Sequence, residues 1–150
     1  MANIVYQAGL RELLIAATDF ATGDWEMLLE SSTSTYAPNK DDDSLLDKAG
    51  WDEIDVVLTP SYVRQNLAGK VVSVVDGSDR VMIDCNNVAF GNLEAGATVK
   101  AVHIARNDGG NYVPFMRIDT DAGGLLPRAL GGGAFSVHIH ADGLAHIAQA

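Results

Sequence analysis

Ser136-Val137-His138-Ile139-His140 sets two imidazoles two residues apart. In an extended chain side chains alternate, so His138 and His140 share one face and Val137 and Ile139 the other. Two imidazoles so placed can reach a single metal ion. A hydrolytic zinc centre needs at least a third protein ligand and an open position for water. The remaining histidines, His103 and His146, are the available third ligands if folding brings them near. The same spacing also suits polar residues on a solvent face, so a metal at His138 and His140 and a plain surface strand both remain open.

Asp41-Asp42-Asp43, with Asp47, offers oxygen ligands of the kind Ca²⁺ takes. The twelve-residue calcium loop does not fit: counting from Asp42 puts Glu53 at the twelfth position, but Asp47 falls where the sharp turn needs glycine. Residues 44–50 read instead as one helical turn ended by Gly50, with the acids at its positive end. The stretch is therefore read as a solvated acidic connection. No Gly-x-Ser-x-Gly elbow occurs, and Cys85, beside Asp84 and two asparagines, has no cation to lower its pKa. A buried structural thiol is expected. The glycine clusters lack a Gly-x-Gly-x-x-Gly arrangement between strand and helix and read as turns.

Whatever these side chains do, short strands must position them. Asp24–Glu30 alternates, with Trp25, Met27 and Leu29 on one face. Further strands are expected at Glu53–Leu58, Lys70–Val75, Arg80–Cys85, Thr98–Arg106, Tyr112–Asp119 and Ala134–His140, with a weaker one at Leu144–Ala148. Asp76-Gly77, Asp108-Gly109-Gly110 and Gly131-Gly132-Gly133 supply turns, and Lys70–Cys85 reads as a hairpin. Residues 6–18, with Leu10, Leu13, Leu14 and Ala17 at helical spacing, read as a short helix or a packing arm. The expectation is an all-β, antiparallel β-sandwich of jelly-roll or Ig-like kind: one domain over 1–150, with 1–19 as an N-terminal helix or arm.

Twenty acidic and ten basic residues leave a formal charge of −10, which repels nucleic-acid backbones. No apolar run approaches the ~20 residues that span a bilayer. The opening residues lack the pattern of a signal peptide, and one cysteine makes no intrachain disulfide, so cytoplasmic synthesis is expected. Trp25, Trp51, Tyr36, Tyr62 and Tyr112 are candidates for sugar or protein contacts, with core packing the alternative.

Met27-Leu28-Leu29-Glu30-Ser31-Ser32, followed by Tyr36-Ala37-Pro38-Asn39-Lys40-Asp41-Asp42-Asp43, resembles a pattern in small structural proteins of tailed bacteriophages. There a strand ending in Leu-Leu-x-Ser-Ser runs into Tyr-x-Pro-Asn/Asp and an acid-rich segment. The likeness continues through Asp52-Glu53-Ile54, Tyr62–Lys70, Met82–Leu93, Ala95–Val102, Pro114–Asp119 and Phe135–Gly143, and covers residues 20–148. Order and spacing carry it rather than any single motif. The Ser/Thr run at 31–35 is longer than usual there, Cys85 stands where alanine is commoner, and His138 and His140 replace aromatic or acidic residues.

The resemblance implies a non-enzymatic virion protein, made in the host cytoplasm, without cofactor, and built in as copies of itself. A capsid decoration or cement protein is its most concrete form, with Ile4, Val5, Tyr6, Leu10 and Leu13 as the apolar contacts to neighbours. Some trimeric phage fibres surround an iron with a His-x-His from each chain, a spacing that His138 and His140 share. A fibre, collar or baseplate module touching host glycans, and a metal-dependent hydrolase using His138, His140 and His103, are the rival readings.

Overall fold

A computed structural model describes residues 4–7, 20–75, 80–120, 126–141 and 143–148. The strands are β1 (Ile4–Val5), β2 (Trp25–Ser31), β3 (Gln65–Asn66), β4 (Val71–Val75), β5 (Arg80–Asp84) and β6 (Val88–Leu93). They continue with β7 (Thr98–Asp108), β8 (Asn111–Ile118), β9 (Arg128–Ala129), β10 (Gly133–Val137) and β11 (Ala145–Ala148). All their pairings are antiparallel. The largest sheet runs β1-β8-β7-β2-β3, with β9 also on β7; β10-β6 and β11-β5-β4 form two smaller ones. Among the described residues the fold is essentially all-β and sandwich-like, as expected from the strand patterns.

The core lies on one face of the large sheet. Trp25, Met27 and Leu29 of β2 meet Val99, Val102 and Ile104 of β7, Phe115 of β8, Phe90 and Leu93 of β6, and Phe135 of β10. Rings lock together across it: Trp25 stands edge-on to Phe115 at 5.6 Å, and Phe90 edge-on to Phe135 at 5.9 Å. Burying each such side chain is worth about 1.5–3 kcal/mol. The β7–β8 hairpin closes through Gly109 and Gly110, whose φ angles of 61° and 96° are cheap only for glycine.

The opposite face is covered by residues 32–52. This excursion is pinned by Ser31 N–H to Asp52 O (2.9 Å), Tyr36 N–H to Gly50 O (3.0 Å) and Leu45 N–H to Tyr112 O (2.8 Å). Tyr36 and Leu45 pack there on Leu28, Ala105 and Tyr112, with Trp51 beside them.

Several expectations change. Glu53 makes one bridge to Glu30, but Asp55–Leu58 is a turn and not a strand. The reason is local: the Asp55 carboxylate accepts the Val57 N–H at 2.7 Å, and the Asp55 carbonyl accepts the Thr59 N–H at 2.8 Å. Residues 44–50 form turns, with Gly50 at a φ of 78°. β10 ends at Val137 because its partner β6 begins at Val88, so His138 and His140 lie beyond the strand. The helix or arm read over residues 6–18 lies, from residue 8 on, outside the described residues, as do Leu10 and Leu13. Ile4 and Val5 pair with Arg117 and Met116 of the same chain. Tyr6 is wholly buried and donates its N–H to Phe115 O at 2.8 Å, so it packs inside its own fold and offers nothing to a neighbour.

Candidate functional site

Two places gather polar side chains, one inside the fold and one open. The inner one grows from strand register. Leu28 of β2 faces His103 of β7, which faces Arg117 of β8. Glu30, two residues along β2, pairs with Ala101, and that small neighbour leaves room for its carboxylate to lean toward His103 and Arg117. His103 Nε2 lies 2.9 Å from Glu30 Oε2, and Arg117 Nε donates to the same oxygen at 2.9 Å. Arg117 also donates to Asp119, and Lys100 Nζ stands 3.2 Å from Glu30 Oε1. Glu30, His103 and Arg117 are wholly buried.

Burial works to raise the Glu30 pKa, but the His103 hydrogen bond and the nearby Arg117 outweigh it and hold the carboxyl at about 2. Burial is the largest influence on His103 and pushes it below the ordinary imidazole range despite Glu30. The ring is therefore neutral, with Nε2–H donating to the carboxylate; its Nδ1 has no hydrogen-bond partner among the described residues. Trp51 stands edge-on to this ring at 4.7 Å, with Tyr6 and Tyr36 at 6.4 and 6.2 Å. A carboxylate orienting an imidazole is the frame of a general base, but here the ring is sealed on every side and reaches no substrate. Its chemistry is that of a clamp.

The clamp extends outward. Tyr6 and Tyr36 hydroxyls lie 3.1 Å apart, and Tyr36 O–H donates to Asp42 at 2.6 Å. Asp42 also accepts the Asn39 N–H at 3.0 Å and pairs with Lys48 at 3.2 Å. Burial works to raise Asp42, and these partners bring it below the usual carboxylate value. The middle of the three aspartates thus turns inward, whereas Asp41 and Asp43 stay in water. Beside it a second group forms: Arg64 grips Glu53 with bonds of 2.9 and 2.7 Å and lies over the Tyr112 ring at 4.4 Å. Tyr62 O–H donates to Glu53 at 2.5 Å while accepting the Leu29 N–H at 3.0 Å.

The open place is a groove of about 570 Å³ beside the end of β10, lined by Val102, Ile118, Leu126 and Leu144 with Arg128, His138 and His140. His138 and His140 are exposed. Asn87 orders this segment by accepting the Ile139 N–H at 2.8 Å. Val102 faces the groove, so its neighbour His103 points to the other side of the sheet, into the clamp. The structure therefore brings His138 and His140 to one groove and leaves His103 apart, and the His146 side chain lies outside the description. Among the described residues no three His, Cys, Asp or Glu side chains stand together as metal ligands.

Cys85 is buried, which pushes its thiol up to about 11. Tyr62 and Tyr112 are buried and Trp51 is half-buried against His103, so these rings serve packing. The clamp residues Glu30, Arg117 and Lys100 escaped the sequence reading, and His103 entered it only as a metal ligand. One signal pointed to them: Ala101, Val102, Ile104 and Ala105 make β7 apolar on both faces, so a histidine at its centre must be buried and needs a partner. Comparison with models of known protein families, with curated proteins and with solved structures finds no match.

Proposed function

We propose that this chain is a non-enzymatic structural component of a tailed-phage virion, carried on the head shell as a decoration protein. The observation that carries this reading is the turn Val56-Val57-Leu58, whose residues are 59, 80 and 56% exposed, with Val63 nearby in sequence at 62%. A chain of charge −10 that holds three consecutive large apolar side chains in water presents a surface that favours a protein neighbour. Burying them yields about 1.5–3 kcal/mol each, enough to hold a subunit weakly, with many copies together giving firm attachment. The virion context rests on the resemblance of the segments over residues 20–148 to small structural proteins of tailed bacteriophages. The body behind the turn is cross-braced by the Glu30 and Glu53 clusters, which suits a part whose task is to keep its shape.

Cryo-EM of the intact particle, with this chain fitted and its copies counted, tests the proposal. Many copies spread over the shell, with Val57 against a shell protein, are expected. Particles assembled with Val57→Asp should carry fewer copies, although the exposed substitution leaves the fold intact. Copies confined to the neck or tail overturn the head placement, and particles without this chain overturn the virion role.

A further inference from the structure

The strand β4 is hydrogen-bonded to β5 along one edge and, among the described residues, to nothing along the other. Val71 and Val72, on opposite faces of it, are 41 and 46% exposed. Open edges are commonly guarded by charge, proline or a bulge. This one has none of them: its residues are Val-Val-Ser-Val-Val, and its register with β5 runs unbroken from Val71↔Asp84 to Val75↔Arg80.

We propose that the free edge of β4 pairs antiparallel with the same edge of a second copy of this chain, about a two-fold axis at Ser73. The segment reads the same in both directions. A two-fold antiparallel pairing sets position 71 opposite 75 of the other copy, 72 opposite 74, and 73 opposite 73. Valine then meets valine on both sides of a central Ser–Ser pair, and β-branched and hydroxyl pairs of this kind stabilise sheets. In the sequence the segment stands between Lys70 and Asp76, opposite charges that an antiparallel copy brings end against end. A net charge of −10 repels a second copy over most of the surface, and an uncharged strand is where that repulsion is weakest. Pairing merges the β11-β5-β4 sheet with its copy into one continuous sheet, an isologous contact that closes on itself. A single strand pair falls short of the ~1,200–2,000 Å² of a stable interface, so the dimer is weak and reversible in solution and gains when copies are held together. The inference stands apart from the virion reading and is tested on purified protein.

The test is disulfide capture of the full chain under mild oxidation. Ser73→Cys places a thiol on the axis, opposite its own copy and within bonding reach; Val71→Cys, at an exposed position of the same strand, places it opposite position 75 and out of reach of itself. The native Cys85 is buried and stays silent in both. The expected result is a covalent dimer from Ser73→Cys and none from Val71→Cys. Dimer from both alike, or from neither, overturns the proposal. Sedimentation velocity supplies a second reading. The wild-type coefficient should rise with concentration, and Ser73→Lys, which sets two ammonium groups face to face, should abolish that rise while leaving the melting curve cooperative. A wild-type coefficient flat with concentration, or a rise that survives Ser73→Lys, overturns it equally.

Discussion

On one face of the large sheet, Trp25, Met27 and Leu29 meet Phe115, Phe90 and Phe135; on the other, the same strands carry Glu26, Glu30, His103 and Arg117 beneath residues 32–52. Both faces are covered, yet they are held by different forces. Apolar burial is non-directional and tolerates exchange of one side chain for another of similar volume. The Glu30–His103–Arg117 cluster depends on atoms placed to a few tenths of an ångström, and each member is costly alone. A buried ion pair need not stabilise more than well-packed apolar groups would. What it adds here is direction. Glu30 aims Lys100 toward the Ser34 carbonyl, which Lys100 reaches at 2.8 Å, and the tyrosine–Asp42 chain ties β1 to the same excursion.

Breaking the polar face should have the largest effect. Arg117→Ala leaves the buried Glu30 without its buried cation, with only the part-exposed Lys100 beside it, and should cost about 3–5 kcal/mol in urea unfolding. Replacing both, Glu30→Met with Arg117→Met, should recover most of that loss. A double variant as unstable as the single one would mean that the cluster acts through shape and not through charge.

Acid should separate the faces next. His103 has a folded pKa below its ordinary 6.5, so the stability held in its neutral form is present above pH 6.5 and is lost as pH falls. Glu30, at about 2 against an ordinary 4.5, contributes about 3 kcal/mol that is present above pH 4.5 and is lost as pH falls toward 2. Melting temperature should therefore decline in two stages on acidification, and His103→Gln should remove the first. Tyr6 acts at the other end: burial raises it to about 12, so its contribution, full below pH 10, is lost as pH climbs through 12.

Matched small changes sharpen the contrast. Met27→Leu, which keeps volume on the apolar face, should cost under about 1.5 kcal/mol. Glu30→Gln alters shape as little but removes one of the two carboxylates paired with Arg117, and its cost should be distinctly larger. Equal losses by calorimetry would erase the distinction drawn between the two faces. The smallest effect belongs to the solvent: Lys40→Ala breaks an exposed pair with Asp41 and should change stability by no more than about 0.5 kcal/mol.

The strands that were legible in the sequence are those whose alternation is sustained. β2 sets Trp25, Met27 and Leu29 at period two, β7 and β8 are sustained apolar runs bounded by turn residues, and the β4–β5 strands are joined across a turn in the sequence. β6 was not legible, because Val88 and Phe90 alternate but Gly91 and Asn92 then interrupt the pattern before Leu93. Val56-Val57-Leu58 looked like a strand by residue type and is a turn, since the Asp55 side chain takes a backbone N–H that a sheet would need. His138 and His140 do share one groove, although Asn87 rather than a strand partner orders their segment.

Sequence alone thus determined the all-β class, the net negative charge and that Trp25, Met27 and Leu29 share one face of β2, because alternation and charge are local properties of the chain. Tertiary structure decided that Glu30, His103 and Arg117 meet, that Asp42 turns inward while its neighbours face water, and that His103 stands apart from the other histidines. Those outcomes depend on register between strands far apart in the chain, and the period-two pattern that orients a side chain carries no information about which partner the next strand will set beside it.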